Sequence, residues 1–224
     1  MAPAHDTVFL FDVDDTLFDN DRMKADLGRQ VEDGFGRAGA DRFWAIYEEQ
    51  RKKHEYADFL GTLERFRLEH LGDPAALRLS NWLMDYPFPE RLYPDALAVV
   101  RHVEDWGLPV ILTDGDGVFQ PYKITRAGLW RAFDGRILDY IHKQESLDAV
   151  REAYPARHYV VIDDKLSILH AVKSAWNGHV TTVFVRQGHY ARAAEAAGDL
   201  PPADVTLDRV AELMTYEFSA LAPV

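Results

Sequence analysis

The hydrophobic positions of this chain change period twice, and each change marks a boundary in the architecture it predicts. Thr7 to Phe11 is a short apolar, β-prone run bounded by polar residues, the pattern of a fully buried strand. From Phe18 to about Leu92 the spacing becomes helical. Met23, Leu27, Val31 and Phe35 recur at every fourth position and line one face. Phe43, Ile46 and Tyr47 mark a second helix. Phe59, Leu60, Leu63, Phe66 and Leu71 mark a third, closed by Gly72, and Asp73-Pro74 opens a fourth that carries Leu77, Trp82 and Leu83. This periodicity assigns the aromatic residues, Trp44 and Trp82 among them, to a helical core rather than to a ligand box. Pro87, Pro89 and Pro94 end the segment and predict a hinge over residues 85–94.

Beyond the hinge, strands and helices alternate. Pro94 to Trp106 reads as a helix with Leu97, Val100 and Val103 inward and Gly107 past its end. Leu108 to Leu112 is an apolar strand ending in Thr113-Asp114-Gly115. A helix follows, then a strand over Arg136 to Ile141 and a helix over Gln144 to Ala153. His158 to Ile162 is a strand ending in Asp163-Asp164, and the helix Lys165 to Trp176 leads to the strand Val180 to Val185. Asp204 to Leu207 adds an edge strand before a last helix. Strands separated by helices of this length imply a parallel sheet with helices on both faces. Ligands of such sheets sit beyond the carboxyl ends of the strands. Asp12, Asp14, Thr113, Lys143, Asp163 and Asp164 all fall at or just past such ends. On an extended segment Asp12 and Asp14, at i and i+2, point the same way. Like charges that close raise one another's pKa unless a cation lies between them, an arrangement suited to a nucleophile, a proton donor and a divalent metal.

Composition narrows the partners. A formal net charge of −12 argues against nucleic acid and anionic membrane surfaces. An anionic substrate then needs a metal or a few placed cations. There is no cysteine, which excludes disulfides, thiol catalysis and cysteine-ligated zinc. The nine histidines show no HxxxH or HExxH spacing, so no zinc site is expected. The first six residues carry no export signal, and no run approaches the ~20 apolar residues of a membrane span. A cytoplasmic protein is expected, monomer or homodimer.

Four signals in order give the chain a resemblance to the haloacid dehalogenase-like (HAD) superfamily over its whole length. Phe11-Asp12-Val13-Asp14-Asp15-Thr16-Leu17 resembles the first motif, Ile111-Leu112-Thr113 the second, Lys143 the third, and Val161-Ile162-Asp163-Asp164 the fourth. The resemblance implies a Rossmann-like core over residues 1–18 and 93–224 and an inserted all-helical cap domain over 19–92. It also implies a magnesium-dependent phosphatase acting on a small phosphoester. Asp12 is then the nucleophile, Asp14 the acid and base, and Lys143 the neutralising cation. Thr113 with the backbone N–H groups of Asp114 and Gly115 holds phosphate. Mg2+ is held by the Asp12 side chain, the Asp14 carbonyl and the Asp163-Asp164 pair, with Asp163 favoured as the direct ligand. An aspartate often found several residues later is absent, with Ile168 near its place. The acidic Asp14 argues against the dehalogenase branch, since a departing alkoxide needs a proton and a halide does not. A phosphomutase, a dehalogenase and a catalytically silent binding domain are the alternatives.

The remaining candidates divide. Gln187 and His189, just past a strand, are candidates for the substrate border. Lys52, Lys53 and His54 read as a solvated helix face. Lys123 competes with Lys143 for the third motif. A helical rise of ~1.5 Å per residue carries Lys123 away from the phosphate, so it is expected to be structural or at the surface.

Overall fold

A computed structural model describes residues 5–218. The opening apolar run forms β1 (His5–Phe11), whose last four residues are buried. Val8 and Leu10 enter one hydrophobic core, Phe9 and Phe11 another, as the two-residue strand period requires of a strand covered on both faces. Five further strands join it: β2 (Leu108–Asp114), β3 (Ile137–Tyr140), β4 (Ala156–Asp163), β5 (Val180–Val185) and β6 (Val205–Leu207). They form one parallel sheet in the order β3-β2-β1-β4-β5-β6. The chain builds outward from β1 through β2 and β3, then returns to β4 on the opposite side. This reversal opens a crevice beyond the carboxyl ends of β1 and β4, where α/β sheets of this Rossmann-like order bind ligands.

Helices cover both faces. The chain forms α1 (Asn20–His54), α2 (Phe59–Glu69) and α3 (Pro74–Met84) between β1 and β2, and α4 (Ala96–Val103) just before β2. Next come α5 (Phe119–Arg126), α6 (Leu129–Ala132), α7 (Leu147–Ala153), α8 (Leu166–Trp176) and α9 (Gly188–Ala197). Val99, Val103, Ile124 and Leu129 pack on the Phe9–Phe11 side of the sheet; Val150, Leu169, Val172 and Ala191 pack on the Val8–Leu10 side. Among the described residues no helix is long and apolar enough to cross a membrane.

The three helices between β1 and β2 are capped by aspartates. Asp19 accepts from Arg22 N–H, Asp58 from Gly61 N–H, and Asp73 from Ala75 N–H ahead of Pro74. The two helices expected over 23–47 are one element, α1, broken at Gly36, whose φ of 69° an L-residue would adopt only with strain. Phe43 and Phe66 pack edge to face with centroids 5.4 Å apart and join α1 to α2. Leu71 and Leu77, expected inward, are 69% and 59% exposed: Leu71 lies beyond the end of α2 and Leu77 on the outer side of α3. The two chain crossings into this helical segment run side by side. Asp19 N–H donates to Arg91 O at 2.7 Å and Tyr93 N–H to Leu17 O at 2.9 Å.

Other boundaries shift. The helix expected from Gln144 starts at Leu147 after a 3-10 turn, and the expected last helix is a 3-10 segment, Val210–Thr215. Gly107 shows why β2 begins where it does. A Cβ there would lie 2.5 Å from the Thr7 carbonyl and 2.9 Å from the Phe9 ring. Gly107→Ala should therefore destabilise the fold by about 1–3 kcal/mol, as overpacked sites do. Gly178→Ala, with nothing within 4 Å of the added carbon, is the control. Equal urea midpoints for the two variants would refute this reading of the β1–β2 contact.

Candidate active site

The sequence supplies the site by ending buried strands in acids. Asp12 follows β1, and its N–H donates to Ile162 O at 2.9 Å, tying the residue to β4. Asp163 ends β4 beside it, with Asp164 next in the chain; all three acids are buried. Lys143 lies at the centre. Its Nζ donates to Asp12 Oδ1 at 2.5 Å, stands 2.7 Å from Asp163 Oδ2 and reaches Leu112 O at 3.4 Å. The Asp114 carboxylate holds Lys143 there by accepting its backbone N–H at 2.8 Å.

Three buried carboxylates thus face one contacting ammonium. Burial, followed by repulsion from Asp163 and Asp12, pushes Asp164 up to about 9. Burial also raises Asp12, to about 7, against the opposing pull of Lys143. Burial disfavours the Lys143 charge, but Asp12, Asp163 and Asp114 outweigh it and raise its pKa. Asp12 Oδ2 and both Asp164 oxygens are buried without a hydrogen-bond partner. Carboxylate oxygens of Asp12, Asp163 and Asp164 lie within 4.8 Å of one another. Hard, unpartnered oxygens at this spacing fit a divalent cation such as magnesium. Asp163 Oδ1 accepts Lys165 N–H at 2.8 Å and its Oδ2 stands 2.7 Å from Lys143 Nζ, whereas Asp12 Oδ2 and both Asp164 oxygens have neither kind of partner among the described residues.

Asp14 departs from the expected parallel aim. The strand ends at Phe11, and the chain turns tightly, with the Leu17 and Phe18 N–H groups both donating to Val13 O. Asp14 instead pairs with Lys123 Nζ. Placing Lys123 away from the site was therefore wrong. The helix α5 packs beneath the loop after β1, which buries Lys123 and sets its ammonium 5.3 Å from the Phe18 ring centroid. Thr113 is buried, its Oγ1 accepting from Gln120 Nε2 at 2.9 Å. Gly115 corrects a second expectation. Its N–H donates to Tyr140 O at 3.0 Å and is not free for an anion. Gly115 is needed instead for close approach, since a Cβ there would lie 2.5 Å from Gln120 Cβ.

Gln187 is a brace rather than a border. It is buried, donates to Thr16 O at 2.8 Å and accepts Val210 N–H at 2.8 Å. His189 reaches Asp21 at 2.5 Å and Asp15 at 3.6 Å. Lys52 and Lys53 are exposed. A pocket of about 190 Å3 opens over the site, its walls including Asp14, Asp114 and Lys165 from the sheet side and Asn20, Lys24 and Tyr47 from α1. Sequence reasoning missed these last four. Lys165 was open to detection, since it follows Asp163-Asp164 at a strand's carboxyl end. The α1 residues were not, because only the break at Gly36 brings Tyr47 back toward Asn20 and Lys24. A larger cavity of about 540 Å3, lined by Tyr93, Arg186, Arg192 and Arg209, contains none of the acids around Lys143.

Buried acids clustered at the switch point of a parallel α/β sheet, beside a fixed lysine, mark this crevice as the candidate active site. The chain is 52% identical to a haloacid dehalogenase-like hydrolase from Burkholderia xenovorans LB400, over 97% of this chain and 99% of that one, with a TM-score of 0.88. It belongs to the haloacid dehalogenase-like hydrolases. At lower identity the fold is shared with a HAD phosphatase from Thermococcus onnurineus (21% identity, TM-score 0.66, 97% and 98% of the two chains). It is also shared with the L-2-haloacid dehalogenase from Xanthobacter autotrophicus (17%, TM-score 0.60, 93% and 96%). No family model and no curated protein matches the chain.

The buried acids make a prediction that does not depend on turnover. A carboxyl raised above its unfolded pKa contributes fully below about pH 4, and that contribution is lost as pH rises through its folded value. For Asp164 the window runs from the ordinary carboxyl value of 3.8 to about 9. Asp164→Asn should therefore raise the thermal midpoint of metal-free protein at pH 8 but not at pH 4. It should also abolish stabilisation by added magnesium. A midpoint at pH 8 that falls, or a magnesium response that survives, would count against Asp164 as a cation ligand.

Proposed function

We propose that the protein is a magnesium-dependent phosphatase that hydrolyses a small phosphoester through an aspartyl-phosphate. The observation that carries this reading is the buried Asp12, held by Lys143 beside the unpartnered oxygens of Asp164, with a second acid, Asp14, at the pocket wall. Asp12 attacks phosphorus, splitting one hard displacement into two. Asp14 gives a proton to the departing alkoxide and takes one from the attacking water. Lys123 positions Asp14 for both transfers. Thr113 Oγ1 and the Asp114 N–H hold phosphoryl oxygens, and Lys143 neutralises charge on Asp12 and the transferring group. Asp12 and Asp164, with Asp163 and the Asp14 carbonyl, would hold magnesium, which supplies the charge that keeps Asp12 ionised next to a phosphate dianion.

In this reading residues 19–92 form a cap domain over a core of 1–18 and 93–224, the partner is a small-molecule phosphoester, and the reaction takes place in the cytoplasm. The presence of L-2-haloacid dehalogenases among proteins of this fold makes halide release the competing reaction. Asp14 favours the phosphatase, because a halide leaves without a proton.

Release of p-nitrophenol from p-nitrophenyl phosphate should require magnesium and stop with a chelator. Asp12→Asn should abolish it, and Lys143→Ala should cost about 10²–10³-fold in kcat. Asp14→Asn should slow alkyl phosphates more than aryl ones, because poor leaving groups need the proton. Chloride release from 2-chloropropionate without phosphate release from any ester would replace the phosphatase reading by the dehalogenase one.

A further inference from the structure

The helix α1 carries polar groups on its pocket side that the chemistry above does not use. Lys24 and Tyr47 both line the pocket, and the Lys24 ammonium sits 5.6 Å from the Tyr47 ring centroid. Lys24 has no carboxylate within 4.0 Å among the described residues, unlike Arg51 at the same wall, which is paired with Glu48 at 2.9 Å. Tyr47 is 4% exposed, and among the described residues its hydroxyl has no partner at full hydrogen-bond distance, with the Lys24 ammonium its nearest charged neighbour. Asn20 is 5% exposed and also lines the pocket, with its Oδ1 equally unpartnered. Lys24 and Tyr47 are thus each other's nearest polar company on this wall, and an ammonium without a carboxylate beside a buried hydroxyl is costly unless a ligand completes the pair. Burial disfavours the Lys24 charge, yet Tyr47, Tyr190 and Asp14 together hold its pKa above the ordinary lysine value, so the cation persists.

Size and charge then select the ligand. The pocket, at about 190 Å3, falls below the ~300–1,000 Å3 typical of drug-sized ligands, a size that fits a few heavy atoms beyond the phosphoryl group. A neutral hydroxyl could satisfy Tyr47 and Asn20 but would leave Lys24 uncompensated. A carboxylate satisfies the ammonium and accepts from Tyr47 at once, as charge-assisted hydrogen bonds favour. On a chain of net charge −12, an ammonium that lines the pocket without a carboxylate in direct contact is also the local help an anionic substrate needs.

We propose that Lys24 and Tyr47 form a carboxylate subsite, so that the substrate is a short phosphate ester carrying a carboxylate at the end away from phosphorus. The proposal rests on the phosphatase reading for the phosphoryl end alone.

The test uses two inert phosphonates that differ only at the far end, 3-phosphonopropionate and propylphosphonate, titrated calorimetrically into the full chain with magnesium. The native protein should prefer the carboxylated ligand by about 10- to 100-fold, the range of a hydrogen-bonded charge contact. Lys24→Met should remove most of that preference and leave propylphosphonate binding unchanged. Tyr47→Phe should remove part of it, and Lys24→Arg should restore part. The thermal midpoint of each variant reports its folding. Equal binding of the two ligands by native protein, or a preference that survives in both Lys24→Met and Tyr47→Phe, overturns the subsite. So does tighter binding of a neutral polyol phosphonate. Turnover of p-nitrophenyl phosphate, which has no carboxylate, is measured in parallel. Its absence falls on the phosphatase reading, whereas loss of the far-end preference falls on the subsite.

Discussion

Everything at the carboxyl edge of this sheet answers to one electrostatic constraint: three carboxylates are buried against a single contacting ammonium, that of Lys143. Charges so placed are tolerated only when paired or when a cation joins them. The neighbouring arrangements follow. Asp114 spends its carboxylate fixing the Lys143 backbone, and Asp163 spends one oxygen on the start of α8. Asp14 has its own counter-charge in Lys123, so a fourth acid at the pocket does not stand uncompensated. The carboxylate oxygens of Asp12, Asp163 and Asp164 that are left without a hydrogen bond among the described residues are the ones a cation would take.

The strands and the acids at their ends were legible because both depend on local pattern. Apolar runs bounded by polar residues located β1, β2, β4 and β5 to within a few residues, and the strand ends delivered Asp12, Thr113 and Asp163 to one edge. What the pattern could not show was aim. The two-residue period that should have sent Asp12 and Asp14 the same way stops at Phe11, and a tight turn around Val13 O redirects Asp14. Lys123 was misjudged for a related reason. Helical rise gives distance along an axis, but the direction of α5 is set by Phe119 and Ile124 entering the core. Gly115 looked like a residue for anion approach and instead makes room for Gln120.

The helical segment between β1 and β2 was legible as helices and illegible as a wall. Its apolar spacing gave the inner faces of α1 and α2, while Leu71 and Leu77 carry the same letters and lie outside. Tyr47 reads as one more aromatic core position, and most of its ring is that. Its hydroxyl matters only because Gly36 bends α1 so that both halves border one pocket. A single glycine with φ of 69° thus brings Asn20, Lys24 and Tyr47, from the two halves of α1, to the wall of one pocket.

The paired crossings at Leu17–Asp19 and Arg91–Tyr93 have a topological consequence. Because the outgoing and returning backbones hydrogen-bond to each other, the segment departs and ends at neighbouring points, about 5 Å apart as in any strand pair. The β-ladder itself therefore needs only that the two ends meet, while the segment between them is tied to the sheet's helices by separate contacts such as Phe59 on Phe119 and Tyr122 Oη on Met84 O. Such a junction works as a clasp: two backbone hydrogen bonds close the loop of chain from Asp19 to Arg91 on itself, so the strand-end acids are held from one side by the sheet and the helical segment enters and leaves through a single gap.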